Sequence, residues 1–335
     1  MGLFKRKPAR DAVPSPAEVP ASTEGLIDEI RRLSATHRER PDRETERRLL
    51  RLRHLAGIRM LDPDGRRAAY PEPDFDALPA GDGLPELRPG DLSPGVLRAG
   101  ILRDGCVLVR GLVDRDAALR LGEGIDRAFA DRAATAGGLY EEFAPEPPFE
   151  VAAVRPWIKE GGGILAADSP ALTAAMLEQF EAAGLPALVA GYLGEPPLLS
   201  VHKTTLRKAE PTVGGSWHQD GAFMGDARAL NLWLSLSRCG DEAPGLDILP
   251  RRLEEIVVDH GAMLDVELTR AKAREAAGDV AILRPIFEPG DALFFDEMFL
   301  HQTGSEPSMR NPRFAIESWF FGASAFPRDY APLAV

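Results

Sequence analysis

His218-Gln219-Asp220 is followed by His301 about eighty residues later and by Arg313 about twelve beyond that. Two imidazoles and one carboxylate can hold one face of an octahedral ferrous ion and leave the opposite face open. Neutral ring nitrogens suit this borderline metal, and a single Asp offsets part of its charge without filling the shell. Three positions then remain for a chelating co-substrate and oxygen. A guanidinium would hold the far carboxylate of that co-substrate through two parallel hydrogen bonds, and it stays charged at any working pH. In an extended strand, residues two apart point to the same side, so His218 and Asp220 are expected to converge while Gln219 faces away or lies along the rim.

The intervening sequence supplies strands to carry these groups. Residues 229–236 read as a strand, 244–252 as a turn followed by an apolar strand, and 287–296 as a Pro289-Gly290 turn that delivers Ala292 to Phe295 into a strand ending near His301. Arg313 opens a further strand pattern over 313–321, whereas Arg310, the competing guanidinium, sits in the turn-rich 307–312. Whether Arg313, Ala315 and Ser318 share a face depends on a bulge. Over 199–207 His202 and Lys203 alternate, and Lys203 and Thr205 are expected inward, near a co-substrate or substrate. Antiparallel strands with helices mainly before them imply an α+β protein built on a two-sheet jelly roll.

The order of ligand pair, strands, turn, strand, ligand and arginine resembles the phytanoyl-CoA dioxygenase family of Fe(II)/2-oxoglutarate oxygenases. The resemblance runs from about Leu199 to Phe321, and a weaker match begins near Leu92 with 97–111. It implies a double-stranded β-helix, the cupin-like form of the jelly roll, with flanking helices. His218, Asp220 and His301 would be the catalytic iron ligands, Arg313 and Thr303 would hold the distal carboxylate of 2-oxoglutarate, and Trp233 would line the co-substrate pocket. The implied reaction consumes O2 and 2-oxoglutarate, releases succinate and CO2, and hydroxylates an unactivated C–H bond of a small molecule. Halogenating relatives carry a small residue in place of Asp220, so hydroxylation is preferred, with desaturation or ring formation left open. Two alternatives stand beside it: a non-catalytic 2-oxoglutarate-binding or regulatory protein on the same fold, and a cupin-like metal isomerase.

Other residues are assigned less sharply. Trp217, Phe223, Asn231 and Trp319 are candidate pocket walls, although aromatic residues in strands are often core. Arg155, Lys159 and Arg207 could neutralise an anionic substrate or form ordinary ion pairs. His37 and His54 lie in charged helical sequence and are expected to be solvated, with His260 at a strand-to-loop junction. Gly161-Gly-Gly163 lacks the Lys-Ser/Thr of a phosphate loop and reads as a flexible loop beside the site.

Net charge is −12, and up to Met60 fourteen Lys/Arg face nine Asp/Glu, which leaves the rest at −17. An acidic body argues against nucleic-acid binding, which needs a basic groove. No stretch approaches a membrane span, and residues 1–7 lack a signal-peptide core, so the expected location is cytoplasmic. Cys106 and Cys239 form no Cys-x-x-Cys pair and are expected to be buried thiols in a reducing compartment.

Four segments follow. Residues 1–22 read as a disordered basic tail and 23–61 as a helical arm, with Thr23 capping Glu24 to Leu33 and Asp42 capping Arg43 to Ala56. Two short amphipathic helices must pack on the body or on a second subunit, so an oligomer contact through the arm is open. Residues 62–90 form a linker or wrapping segment, and 91–335 the oxygenase domain, with helices from Ser93, over 114–130 (Ala117, Leu119, Leu121 and Ile125 inward) and over 169–192.

Overall fold

The computed structural model describes residues 19–81, 83–135, 137–212, 214–224, 227–262 and 266–335, so most of the tail expected over 1–22 lies outside the described residues. Two antiparallel sheets face each other. The larger has the order β1 (Glu86–Leu87), β2 (Cys106–Val109), β9 (Ala292–Phe295), β6 (Ala229–Ser235), β11 (Arg313–Gly322), β4 (Pro197–Ala209) and β12 (Pro332–Ala334), with β3 (Gly163–Leu165) also on β4. The smaller runs β7 (Gly245–Ile248), β10 (His301–Gly304), β5 (Trp217–His218) and β8 (Glu267–Leu268). Within the larger sheet only β1 with β2 is parallel. This is the expected α+β architecture, a double-stranded β-helix.

Strand periodicity explains the layers. On β6, Leu230, Leu232 and Leu234 join the apolar cluster beneath the helices, while Ala229 and Trp233 join the cluster between the sheets. On β11, Ile316 and Phe320 take the helix side, and Ala315, Trp319 and Phe321 take the inner side. Both faces are therefore buried, which is why these strands read as nearly continuous apolar runs. Each fully buried large side chain contributes about 1.5–3 kcal/mol relative to exposure. The helix layer comprises α3 (Pro94–Asp104), α4 (Arg115–Ala134), α6 (Pro170–Ala182) and α7 (Leu185–Leu193), with α5 (Arg155–Glu160) against β3. Leu119, expected inward on α4, is exposed instead. Before β9 comes the predicted turn, where Gly290 has φ +95° and a Cβ would lie 2.1 Å from the Val113 carbonyl oxygen, so only glycine fits.

The arm, α1 (Thr23–Glu39) and α2 (Arg43–Met60), differs from its expected outline. Ser22 rather than Thr23 caps α1, accepting from the Gly25 amide at 3.0 Å, and both helices run several residues further than the apolar stripes suggest. Leu26, Ile30 and Leu33 pack with Leu49, Leu52, Ala56 and Ala334, so the apolar stripes are covered within the chain. His37 and His54 are buried, contrary to expectation. His37 reaches Glu178 at 3.2 Å and Glu46 at 3.3 Å, and His54 meets the Pro332 carbonyl at 2.8 Å while its other nitrogen accepts from the Glu146 amide at 3.0 Å. Their charged neighbours hid them: Arg38 beside His37 pairs with Glu181, and Arg53 beside His54 donates to the Ala334 carbonyl. After α2, Tyr70 packs against Arg98 and Arg228, at 4.0 and 3.8 Å from its ring centre, and β1 extends the larger sheet.

His54→Ala removes two buried hydrogen bonds and edge packing on Phe143 and Phe149, and should cost about 2–4 kcal/mol in urea unfolding. Burial lowers the pKa of His54 from 6.5. The stability it confers in neutral form is therefore intact above about pH 6.5 and is lost as pH falls below that. His202 and His301 shift in the same direction, so the variant should flatten the acid limb of a melting-midpoint profile only in part.

Candidate metal and co-substrate site

Cross-strand pairing builds the centre. His218 on β5 is the direct antiparallel partner of His301 on β10, and their ring centres lie 4.5 Å apart. Ligand atoms of His218, Asp220 and His301 all lie within 4.8 Å of one another. Asp220 arrives by a different route from the one expected. β5 ends at His218, and Asp220 sits in the turn entering α8 (Gly221–Met224), so strand alternation is not what brings it to the histidines. Gln219 instead anchors that turn. Its amide donates to the Glu255 and Met298 carbonyls at 3.1 and 2.8 Å and its oxygen accepts from the Val257 amide at 2.8 Å. These bonds hold Gln219 away from the histidines while the flanking residues point at each other.

The donor set fits a divalent metal. Each histidine directs Nδ1 to a backbone carbonyl two residues earlier, His218 to Ser216 at 2.8 Å and His301 to Phe299 at 3.2 Å. A carbonyl can only accept, so both Nδ1 atoms carry hydrogen, and in the neutral tautomer this selects, Nε2 is the atom that presents a lone pair. Asp220 Oδ2 is buried without a hydrogen-bond partner, 3.8 Å from His301 Nε2. Burial, reinforced by nearby His218, pushes the His301 pKa down to about 4, which keeps that ring neutral.

A cavity of about 980 Å³ opens beside the cluster and is lined by His218, His301, Thr303, Trp233, Arg313 and Glu317, among others. Arg313 is 3% exposed. Its Nη1 donates to the Gly245 carbonyl at 3.0 Å, its Nε has no partner, and no carboxylate pairs with it among the described residues. Burial pushes its pKa down to about 10, so it remains a cation at neutral pH. An uncompensated buried guanidinium costs several kcal/mol unless an anion arrives to pair with it. Thr303, two residues beyond His301 on β10, shares that wall, and Trp233 lies 5.4 Å from the Arg313 guanidinium. Arg310 remains in its loop, donating to the Pro307 and Met309 carbonyls.

Several candidates fall elsewhere. Thr205 donates its hydroxyl to Glu317 at 3.1 Å and is not part of the cavity lining. Lys203 places its ammonium 4.9 Å from the centre of the Phe223 ring, while His202 faces away, bonded to Glu150 and Ala331. Trp217 packs with Leu249 and Leu268, Trp319 and Asn231 are buried between the sheets, and Phe223 is exposed against the edge of His218, so none of these four proposed walls lines the cavity. Arg155 is committed to Asp168 and Lys159 is exposed. Gly161 to Gly163 close α5 and enter β3, and Gly161 lines the cavity, so this stretch lies beside the site as expected.

Glu317 was not anticipated. It shares the inner face of β11 with Arg313, and that phase, an acid four residues after the arginine in an apolar strand, was readable in the sequence. Burial alone would raise its pKa, but the Arg207 guanidinium outweighs burial and holds the carboxyl well below the usual range.

No family model and no curated protein matches this chain. Solved structures do. EctD from S. alaskensis, crystallised with 2-oxoglutarate and 5-hydroxyectoine, is 20% identical over 68% of this chain and 75% of its own, with a TM-score of 0.50. The epimerase SnoN, crystallised with Fe3+, alpha ketoglutarate and nogalamycin RO, is 18% identical over 71% of this chain and 94% of its own, at 0.49. AviO1 from Streptomyces viridochromogenes Tue57 is 18% identical over 69% and 96%, at 0.46. The likeness to EctD establishes a shared fold. Fold and site together define a double-stranded β-helix protein with a two-histidine, one-carboxylate cluster at a cavity.

Asp220→Ala leaves two imidazoles and no anionic ligand. Calorimetric titration with Fe(II) under anaerobic conditions should show affinity weakened by about a hundredfold or more, with the melting midpoint of the metal-free protein nearly unchanged.

Proposed function

We propose that this protein is an Fe(II)/2-oxoglutarate-dependent oxygenase of the phytanoyl-CoA dioxygenase type that hydroxylates a C–H bond of a small molecule. The observation that carries this reading is the buried Arg313, with no carboxylate partner among the described residues, on the cavity that His218 and His301 of the His218, Asp220 and His301 cluster also line. A ligand with one carboxylate for the guanidinium and a chelating end for a metal satisfies both at once, and 2-oxoglutarate has that shape.

In this reading His218, Asp220 and His301 hold Fe(II). When bound, iron supplies oxygen activation coupled to oxidative decarboxylation of the co-substrate, giving succinate and CO2. The chain's own groups do the positioning. Arg313 receives the distal carboxylate in a charge-assisted pair, the Thr303 hydroxyl adds a donor beside it, and the Trp233 ring forms the apolar wall. Thr205 acts through Glu317, since its hydroxyl is already donated there. Burial of His301 keeps that imidazole neutral and able to ligate.

The setting we propose is the cytoplasm. Cys106 and Cys239 are buried and unpaired, as a reducing compartment allows, and no described helix is long and apolar enough to cross a membrane. The acidic charge supports a small-molecule substrate over nucleic acid.

The test is succinate formation from 2-oxoglutarate by the Fe(II)-loaded protein on exposure to O2, over a broad panel of small molecules. Arg313→Ala should raise the 2-oxoglutarate concentration needed by about ten- to a hundredfold, with Arg313→Lys recovering only part of it. Binding of 2-oxoglutarate without consumption across the panel would favour a sensor, and unchanged 2-oxoglutarate dependence in Arg313→Ala would remove the assigned role.

A further inference from the structure

Glu317 uses only half of its carboxylate. Oε2 accepts from Thr205 Oγ1 at 3.1 Å, Arg207 Nε at 3.1 Å and Arg207 Nη2 at 2.8 Å. Oε1 has no hydrogen-bond partner among the described residues, yet the side chain is 16% exposed and that exposure is to the cavity. A carboxylate held ionised, oriented by three donors on one oxygen and bare on the other is a built acceptor. Arg207 cannot swing away to serve an anion, because its remaining Nη1 donates to the Gly161 carbonyl at 2.9 Å.

The rest of the lining has the same sign. Glu160 and Glu267 also line the cavity, and Arg207 and Arg313 are the only arginine or lysine residues in its lining among those described. Lys203 lies outside the lining, over Phe223, and acts on Glu317 only after Arg207 and His301. On the oxygenase reading, on which this inference rests, the co-substrate occupies Arg313 and the iron balances Asp220 and the chelating carboxylate. Three glutamates then face one guanidinium in the space left for the primary substrate. At the rim, Trp157 on α5 is 67% exposed beside Glu160 and contributes to the same lining. An exposed indole face next to carboxylates is a surface that attracts a cation.

We infer that the primary substrate is a small organic cation carrying N–H donors, an amine or guanidine, with its charged head hydrogen-bonded to Glu317 Oε1. The acids steer it inward past Trp157, and Glu317 fixes the distance of its carbon chain from the metal cluster. Glu317 is in this sense the specificity-determining residue of the cavity.

The experiment uses a matched series, hexylamine, hexanol and hexanoate, together with agmatine, titrated calorimetrically into the full-length protein loaded anaerobically with Fe(II) and 2-oxoglutarate. Hexylamine and agmatine should bind about tenfold or more tighter than hexanol and hexanoate, and Glu317→Gln should erase that preference. Should loss of the Arg207 pair unfold that variant, as a thermal melt would show, Glu267→Gln and Glu160→Gln provide the second measurement, each reducing the preference by a smaller factor. Equal or tighter binding of hexanoate or hexanol, or failure to bind either cation, would overturn the inference. The absorption change on adding 2-oxoglutarate to the Fe(II) protein is recorded first, and the titrations are repeated without metal. An absorption change without cation preference defeats this inference alone, whereas cation preference without the absorption change defeats the oxygenase reading alone.

Discussion

Register between two short strands is the constraint on which the site depends. β5 contributes only Trp217 and His218, yet pairing His218 directly with His301 brings two imidazoles from distant parts of the chain to 4.5 Å. A slip of one residue would turn one ring to the opposite face and dissolve the cluster. The register is held from outside the pair: β10 also pairs with β7 through four residues, and Gln219 is bonded to three backbone groups. Two backbone carbonyls then settle which ring nitrogen is free.

Charge on β11 is the second organising element. Arg313 and Glu317 point into the same cavity from one strand, and their buried charges are handled in opposite ways. Glu317 is compensated on one oxygen by Arg207 and Thr205, whereas Arg313 has only a backbone carbonyl. A structure that solvated or paired every buried charge would have no reason to bind an anion here. The residual cost of Arg313 is what makes the cavity receptive.

Segments outside the jelly roll hold its frame. α2 packs on β12, and His54 bonds to Pro332 on that strand and to the 143–149 region, so the arm closes over the end of the larger sheet. Residues 62–90 add β1 and pack Tyr70 against two arginines. The α5 to β3 corner places Trp157 and Glu160 at the cavity rim and is tied to β4 through Arg207 and the Gly161 carbonyl.

Much of this was legible in the amino-acid order. Arg313 opening a strand while Arg310 stays in a loop, the Pro289-Gly290 turn and the strands near 199–207, 229–236, 292–295 and 313–321 follow from residue type and alternation, because local pattern reports which face of an element is buried, whereas Asp220 reaches the histidines through a turn. The sequence also misled in places. His37 and His54 read as solvated because charged neighbours surround them along the chain, while their actual partners, Glu178, Glu146 and Pro332, lie far away in sequence. Trp217, Asn231 and Trp319 read as cavity walls but fill the interior, since one-dimensional alternation cannot say how deep along a sheet a residue sits. By itself, then, the sequence determined the chemical inventory and the inward phase of the longer strands. Tertiary structure decided which inward groups meet across the sheets, which charges keep a partner and which face open space, because those are properties of contacts between segments that no local pattern encodes.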